Sequence, residues 1–179
     1  MITLSELLFV DAPEDAKGED PFISEVDAFL EAQVNAVHFD AITATLGILC
    51  DLRTALQLDE TNTGLLVLRG VSLLEWSGAT GRPRMSWKVV GSTVQPLGTN
   101  LELHFALTPA ADLRVGGRSA VFHSLDVPAV GEIPDFTSHT DQEVRSMSPQ
   151  WDSAAHIIRT TPLTPRPGEV SLFVNGKGA

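Results

Sequence analysis

The sequence predicts an α+β fold that is mainly an antiparallel β-sheet. The chain has 179 residues, which is enough for a single domain, residues 1–179, with its own hydrophobic core. Between residues 64 and 107, short apolar runs of strand length alternate with turn residues, which is typical of a β-meander. An amphipathic stretch lies at about residues 21–34, and a shorter helical pattern lies near residues 141–147. We therefore expect a single meander-type sheet or half-barrel that the N-terminal helix covers.

The N-terminal region contains the clearest helix signal. Residues 3–10 fit either a short helix capped by Thr3 or an edge strand, and residues 11–20 form an acidic loop. Asp20 can then cap a helix in which Pro21 occupies the first position. The apolar residues that recur at helical spacing are Phe22, Val26, Phe29, Leu30 and Val34. One apolar stripe of this width predicts a helix that packs on a sheet.

The central region has the period of β-strands. Residues 37–58 alternate apolar and polar positions, although their second half, residues 49–58, also fits a helical stripe. Strand and helix therefore both stay open for that half. Residues 65–68 are continuously apolar, which indicates a strand covered on both faces. Trp76 and Trp87 flank a loop, and we expect them to be cross-strand neighbours.

The C-terminal third continues the sheet and then changes character. Residues 101–107 form the cleanest amphipathic strand pattern in the chain. Thr140 and Glu143 have the spacing of a capping box, which predicts the short helix near residues 141–147. Residues 162–168 contain three prolines, so we expect a Pro-rich segment without regular structure before the C-terminal tail.

Composition excludes several classes of function. The net charge of −11 argues against nucleic-acid binding, because neutralising phosphates requires a basic surface. No apolar run approaches the roughly 20 residues that span a membrane. The N-terminus lacks the basic segment of a secretory signal, and the single cysteine, Cys50, cannot form an internal disulfide. We therefore expect a cytoplasmic protein whose acidic surface favours solubility and suits a protein partner.

His38 and Asp40 are the nearest approach to a metal motif. Alternate residues of a strand point to one face, so this pair offers two of the three ligands of a facial iron site. His104 or His123 is the candidate for the third ligand, and Arg114 can pair with an acidic cosubstrate. This outline resembles the iron- and 2-oxoglutarate-dependent dioxygenases in these residues alone. A surface histidine beside an ordinary acid is the more common origin of such spacing, so we predict no cofactor.

Five further residues are candidates for contacts with a ligand or a partner. Asp51 and Arg53 share a strand face, where they contact a ligand or a partner, pair with each other, or pair across the sheet. Trp76, Trp87 and Trp151 are suited to a ligand pocket or an interface, and core packing is the more common role of tryptophan. The sequence contains no nucleophile elbow, P-loop or Gly-x-Gly-x-x-Gly motif.

The chain also resembles a group of proteins of unknown activity. Nine of its twelve basic residues are arginine. With this bias, and with the segments at residues 49–57 and 70–76, it resembles uncharacterised bacterial proteins from high-GC genomes. The resemblance covers residues 39–127 and implies no activity, so no functional residue follows from it.

Three functions from different classes fit these observations. The sequence favours a non-enzymatic interaction or accessory protein, for example an immunity-like one, that binds a partner through a sheet face or an acidic rim. The second function is a small-molecule-binding protein whose sheet and helix enclose a cavity lined by tryptophans. The third is a non-haem metal enzyme that uses His38 and Asp40. The oligomeric state is open, and a homodimer is one expectation because an exposed edge strand can pair two copies.

Overall fold

The computed structural model describes residues 1–10, 21–78 and 86–163. Within these ranges the chain forms one ten-stranded antiparallel sheet, two short α-helices and a 3-10 turn at Pro21–Ser24. The strands are β1 (Ile2–Thr3), β2 (Gln33–Asp40), β3 (Thr45–Asp51), β4 (Thr63–Arg69), β5 (Leu73–Gly78), β6 (Trp87–Leu97), β7 (Asn100–Thr108), β8 (Ala111–Gly117), β9 (Ser119–Asp126) and β10 (Ala154–Leu163). The helices are α1 (Leu4–Leu7) and α2 (Asp141–Ser146). The predicted dominance of an antiparallel sheet is confirmed.

The order of the strands is β1-β10-β9-β4-β3-β2-β6-β7-β8-β5. Two meanders, β2-β3-β4 and β6-β7-β8, meet where β2 pairs with β6, and this pairing is confined to Gln33 with Lys88 and Val34 with Trp87. The sheet is therefore not one simple meander, because β5 pairs with β8 and β9 pairs with β4. Short antiparallel hairpins are local, whereas these two pairings join strands that are distant in sequence.

The two meanders fold towards each other around a common apolar core. Ile48 and Leu66 from the first meander share this core with Leu103 and Leu113 from the second, and all four are fully buried. Residues of one strand that face the core alternate with residues that face away, as the pleat of a strand requires. The sheet curvature therefore brings β4 close to β8 and β7 close to β9.

A second apolar layer covers the opposite face of β3, β4 and β9. Leu4 and Leu7 of α1 are fully buried against Leu65 and Val67 of β4 and their neighbours. Thr3 caps α1 through a capping box with Glu6, which agrees with the helical alternative for this segment. Since Leu66 lies in the first layer, the prediction that residues 65–68 are buried on both faces is confirmed.

The prediction of a helix at about residues 21–34 is wrong. The chain makes one 3-10 turn at Pro21–Ser24, passes through turns and enters β2 at Gln33. Asp27 and Glu31 have positive φ angles of 64° and 66°, which a right-handed helix excludes.

Long-range contacts explain why this segment is not helical. Its backbone bonds to the edge of β6: the amide of Glu31 donates to the oxygen of Val89 at 2.9 Å, and the amide of Asp27 donates to the oxygen of Ser92 at 2.8 Å. Phe29 then enters the core, where its ring makes edge-to-face contacts with Phe105 and Phe122 at centroid distances of 5.2 and 5.3 Å. The apolar residues that predicted a helix thus belong to a turn segment whose Phe29 side chain fills part of the core.

Three other expectations are resolved or corrected. The strand β3 ends at Asp51, and residues 52–58 form turns, so neither alternative holds for the whole of residues 49–58. The helix near residues 141–147 is confirmed as α2. The prediction that residues 162–168 lack regular structure is wrong for its first two residues, because β10 extends to Leu163 and Pro162 pairs with Val121 of β9. On the other side of β10, Ala154 and Ala155 alone among the described residues pair with β1. Proline is tolerated there because that side of β10 is an edge.

The acidic loop at residues 11–20 and residues 164–179, which include most of the Pro-rich segment, lie outside the described residues. With four and six residues, the helices α1 and α2 are too short to cross a membrane, and no other described helix is long and apolar enough.

Candidate functional site

A cavity of about 450 Å³ lies between the edge of β2 and the helix α2. Asn35 and Ala36 line it from β2, directly after the short pairing of β2 with β6. Val144 and Arg145 line it from α2. A register shift at Asn35 places an extra residue in β2 at this point, which is the usual way in which a strand turns side chains towards a site.

Two tryptophans line this cavity although they are distant in sequence. Trp87 begins β6 opposite Val34, and Trp151 follows the segment that carries α2. Phe136 adds a third aromatic ring, and all three rings are half-buried. Two of the three tryptophans predicted as candidates for ligand contact are therefore brought together.

The third tryptophan supports the site without lining it. Trp76 packs edge-to-face on Trp87 with ring centroids 5.1 Å apart and planes at 89°. The prediction that these two residues are cross-strand neighbours is wrong, because β5 pairs with β8 whereas β6 pairs with β2 and β7. Their rings meet because the sheet curves. Such an edge-to-face contact fixes the orientation of the Trp87 ring.

Trp151 is positioned by a glycine of the sheet. A Cβ atom at Gly47 would collide with Leu8 and lie 3.0 Å from Cη2 of Trp151, so the indole ring lies against the bare backbone of β3. The ring of His38 lies beside it, with a centroid distance of 5.7 Å. The six-membered edge of Trp151 thus belongs to the second apolar layer while the residue also lines the cavity.

The helix α2 forms the outer wall of the cavity. None of its residues is buried, and its single large apolar residue, Val144, is half-buried and lines the cavity. Thr140 and Glu143 form the predicted capping box, with the Thr140 amide 2.7 Å from Oε2 of Glu143. A helix that buries nothing of its own needs other contacts to keep its place.

Arg53 and Asp51 supply those contacts from behind the wall. The guanidinium of Arg53 pairs with Asp51, and it also donates to the main-chain oxygens of Gly131 and Glu132 at 2.7 Å and of Met147 at 2.9 Å. These two candidate residues therefore pair with each other, which is one of the alternatives that the sequence left open, and they do not line the cavity. They do not share a strand face, because β3 ends at Asp51 and Arg53 lies in the following turn.

Two smaller networks shape the rest of the wall. The Nε2 atom of Gln150 lies 3.1–3.2 Å from the main-chain oxygens of Arg145, Ser148 and Pro149, which closes the turn after α2. Before α2, the carboxylate of Asp135 accepts hydrogen bonds from Thr137 and Ser138, and these bonds hold the pKa of Asp135 well below its usual range. The loop that carries Phe136 is thereby fixed.

Arg145 is the charged side chain that the sequence analysis missed. It is exposed, it lines the cavity, and its guanidinium has no hydrogen bond or ion pair with any residue that the structure describes. Asp141 lines the same wall one helical turn earlier, so the described lining contains one cation and one anion. A cationic residue next to the apolar Val144 in a predicted helix, four residues before Pro149, was the signal available in the sequence.

The candidate metal ligands are spread over three strands: His38 and Asp40 lie on β2, and His104 and His123 lie on β7 and β9. Asp40 accepts hydrogen bonds from the amide of Ile42 and the hydroxyl of Thr43, so it caps the β2–β3 turn, and these bonds lower its pKa. His38 lies on β2 beside Trp151. Within the described ranges there is no group of three or more His, Cys, Asp or Glu side chains that could hold a metal ion.

The other two candidate histidines, His104 and His123, have local partners. His104, on β7, has Nε2 at 2.7 Å from Oδ1 of Asp112, and Arg114 pairs with Glu102 across the same outer face. His123, on β9, is buried, and its Nδ1 lies 2.9 Å from the hydroxyl of Thr160. Burial lowers the pKa of His123 to about 4, and the charge of Arg69 adds to this. His123 is thus a neutral, structural side chain.

Cys50 is also structural. It is buried in the core, and burial raises the pKa of its thiol to about 12, which leaves no reactive thiolate near neutral pH.

Comparisons with protein-family models, with curated proteins and with solved structures give no match for this chain. The resemblance to bacterial proteins from high-GC genomes therefore stays a prediction.

Proposed function

We propose that this protein binds a small ligand in the cavity between β2 and α2. The observation that carries this proposal is that Trp87 and Trp151, from distant parts of the chain, line one cavity of about 450 Å³. Ligand pockets typically measure roughly 300–1,000 Å³ and combine an apolar lining with a few polar groups. The sequence analysis offered this function as an alternative, with a cavity that the sheet and the predicted N-terminal helix enclose. The cavity proposed here lies instead between the edge of β2 and α2.

The shape of the wall supports binding. Val144 and Phe136 present apolar surface to the cavity from a helix and a loop that have few contacts of their own. Burying such surface against a ligand is worth about 25 cal/mol per Å². The wall is nevertheless fixed by Arg53 and Gln150, and a fixed pocket lowers the entropic cost of binding.

The chemistry of the lining favours binding over catalysis. No histidine or cysteine is among the described residues that line the cavity. Nucleophilic catalysis needs a base within hydrogen-bond reach of the nucleophile. The ionisable groups of the lining, Asp141 and Arg145, are exposed charges on a helix surface.

A blocking substitution tests this proposal. Val144→Trp fills the cavity from an exposed helix, and Gln142→Trp places the same ring elsewhere on α2, away from the lining. A panel of small apolar and aromatic compounds is screened against the wild type by isothermal calorimetry. We expect at least one compound to bind, and we expect Val144→Trp to abolish binding while Gln142→Trp retains it. Binding that survives Val144→Trp, or a panel without any binder, contradicts the proposal.

A second candidate function keeps the interaction protein that the sequence favours. Among the described strands, none pairs with β2 beyond Val34 on the side that faces β6. Phe39, near the end of this edge, is 43% exposed, and Ile42 in the following turn is 96% exposed. We propose an extended segment of a protein partner as the occupant, because an open strand edge offers backbone hydrogen bonds to such a segment. Ile42→Asp should then weaken complex formation, measured by pull-down, whereas an unchanged complex contradicts this candidate.

A further inference from the structure

The cavity has a charge arrangement that selects among ligands. Arg145 is an exposed residue that lines the cavity, and no described residue forms a hydrogen bond or an ion pair with its guanidinium. The chain as a whole has a net charge of −11, so acidic groups outnumber basic ones by 23 to 12. Within the part of the chain that the structure describes, Arg145 therefore offers an unpaired positive charge next to the apolar Val144.

Resting on the proposed function above, we propose that the ligand is an aromatic monocarboxylate whose carboxylate binds Arg145. The planar guanidinium can donate two parallel hydrogen bonds to a carboxylate, which makes this one of the stronger polar contacts in proteins. Trp87, Trp151 and Phe136 line the remaining space, where an aromatic body packs favourably on other rings.

The charge balance of the wall favours a monoanion over a phosphate. Asp141 lines the cavity one turn before Arg145, so the described lining carries one positive and one negative charge. Among the described lining residues, a phosphate monoester with nearly two negative charges would meet one cation, Arg145. A carboxylate needs one guanidinium and is neutralised by it.

The position of Arg145 is built by the same network that holds the wall. Its main-chain oxygen lies 3.2 Å from Nε2 of Gln150, and the turn that follows α2 is held by Arg53 through Met147. The side chain is therefore anchored at its base while its guanidinium is free to meet a ligand.

Matched compounds test this inference on the whole chain. The probes are 3-phenylpropanoate, its uncharged amide and phenyl phosphate, titrated by isothermal calorimetry into the wild type, Arg145→Gln and the control Arg114→Gln. Arg114 lies on the outer face of β8, where it pairs with Glu102 and does not line the cavity. We expect the wild type and Arg114→Gln to bind the carboxylate about 10-fold or more tightly than the amide. Arg145→Gln should remove this preference without weakening binding of the amide.

The outcomes separate this inference from the proposed function. Equal binding of carboxylate and amide by the wild type, a preference that persists in Arg145→Gln, or tighter binding of phenyl phosphate overturns the inference. If the amide still binds and Val144→Trp abolishes that binding, the cavity remains a ligand site without carboxylate selection. If none of the probes binds, and the wider panel yields no binder, both proposals fail.

One further arm distinguishes two sources of the same carboxylate. The tripeptide Ala-Ala-Phe presents an aromatic residue and a terminal carboxylate on a peptide, whereas 3-phenylpropanoate is a free acid. Tighter binding of the tripeptide that depends on Arg145 identifies a peptide C-terminus as the ligand. Equal or weaker binding of the tripeptide identifies a free aromatic acid.

Discussion

Arg53 donates hydrogen bonds to both carboxylate oxygens of Asp51, and the pair fastens the α2 wall to the end of β3. The side chains of Asp51 and Arg53 are only 3% and 11% exposed. The same guanidinium reaches the main chain before α2 at Glu132 and after it at Met147. One arginine thus holds both ends of the segment that closes the cavity.

Removing this arginine should destabilise the protein strongly. Arg53→Ala leaves the Asp51 carboxylate buried without its counter-charge, which typically costs about 3–5 kcal/mol. We expect a corresponding decrease in the free energy of unfolding, measured by urea denaturation. The control is Arg159→Ala, which breaks an exposed pair with Glu60 and should cost less than about 1 kcal/mol. Equal effects of the two substitutions would contradict a structural role for Arg53.

Substitutions at Phe29 and Val26 distinguish the observed turn segment, in which Phe29 enters the core, from the helix that the sequence predicted. A helix would bury both residues on one stripe, but Phe29 is 1% exposed and Val26 is 58% exposed. We expect Phe29→Ala to lower the free energy of unfolding by about 3–5 kcal/mol, because it leaves a cavity in the core. Val26→Ala should change it by less than about 0.5 kcal/mol. Comparable losses in the same denaturation experiment would favour the helix.

Local signals in the sequence predicted local structure well. Thr140 and Glu143 are three residues apart, and their capping box depends on nothing outside α2. The apolar run at residues 65–68 predicted burial on both faces because no polar residue interrupts it. The prediction of a mainly antiparallel sheet likewise rested on a local signal, namely short runs of residues with the period of β-strands.

Long-range contacts determine those parts of the fold and of the candidate site that the sequence did not predict. The segment around Phe29 bonds to the edge of β6, and no pattern within the segment contains that information. The cavity likewise joins Trp87 with Trp151 and Arg145, which lie far apart in the sequence. The tryptophans were found by residue type, whereas Arg145 was missed because an exposed arginine on a helix is ordinary until its surroundings are known.

Glycine should be more stable than alanine at position 44. The φ angle of Ala44 is 51°, in the left-handed region, which costs a non-glycine residue about 1–2 kcal/mol. Part of this gain is offset by the greater entropy of glycine in the unfolded chain, so we expect Ala44→Gly to stabilise the protein by about 0.5–1 kcal/mol. Ala41→Gly in the same turn has no left-handed residue to relieve and should destabilise slightly. A lower melting temperature for Ala44→Gly would show that this turn has a different conformation.

His123 should make stability depend on pH. Its pKa is about 4 in the folded protein, below the ordinary value of 6.5, so the unfolded chain binds the proton more readily. Stability is therefore retained above about pH 6.5 and decreases as the pH falls towards 4, by about 3 kcal/mol in total.

The variant His123→Gln isolates this contribution, because it removes the titrating group at the position that contacts Thr160. Between pH 7 and pH 4.5, the wild type should lose about 2–3 kcal/mol more than His123→Gln in the free energy of unfolding. His156→Gln, at an exposed position of β10, should behave as the wild type. A difference between wild type and His123→Gln that does not change with pH would contradict a buried neutral histidine.

The most direct test of ligand binding between β2 and α2 is an NMR titration of the ¹⁵N-labelled protein with 3-phenylpropanoate. The indole N–H signals of Trp87 and Trp151 report from the cavity lining, and the backbone amide of His104 reports from the outer face of β7. We predict that both indole signals shift along one binding curve while the His104 amide stays in place. Indole signals that remain fixed at the highest soluble concentration of the compound, or shifts that map to the outer face of β7, would contradict binding in this cavity.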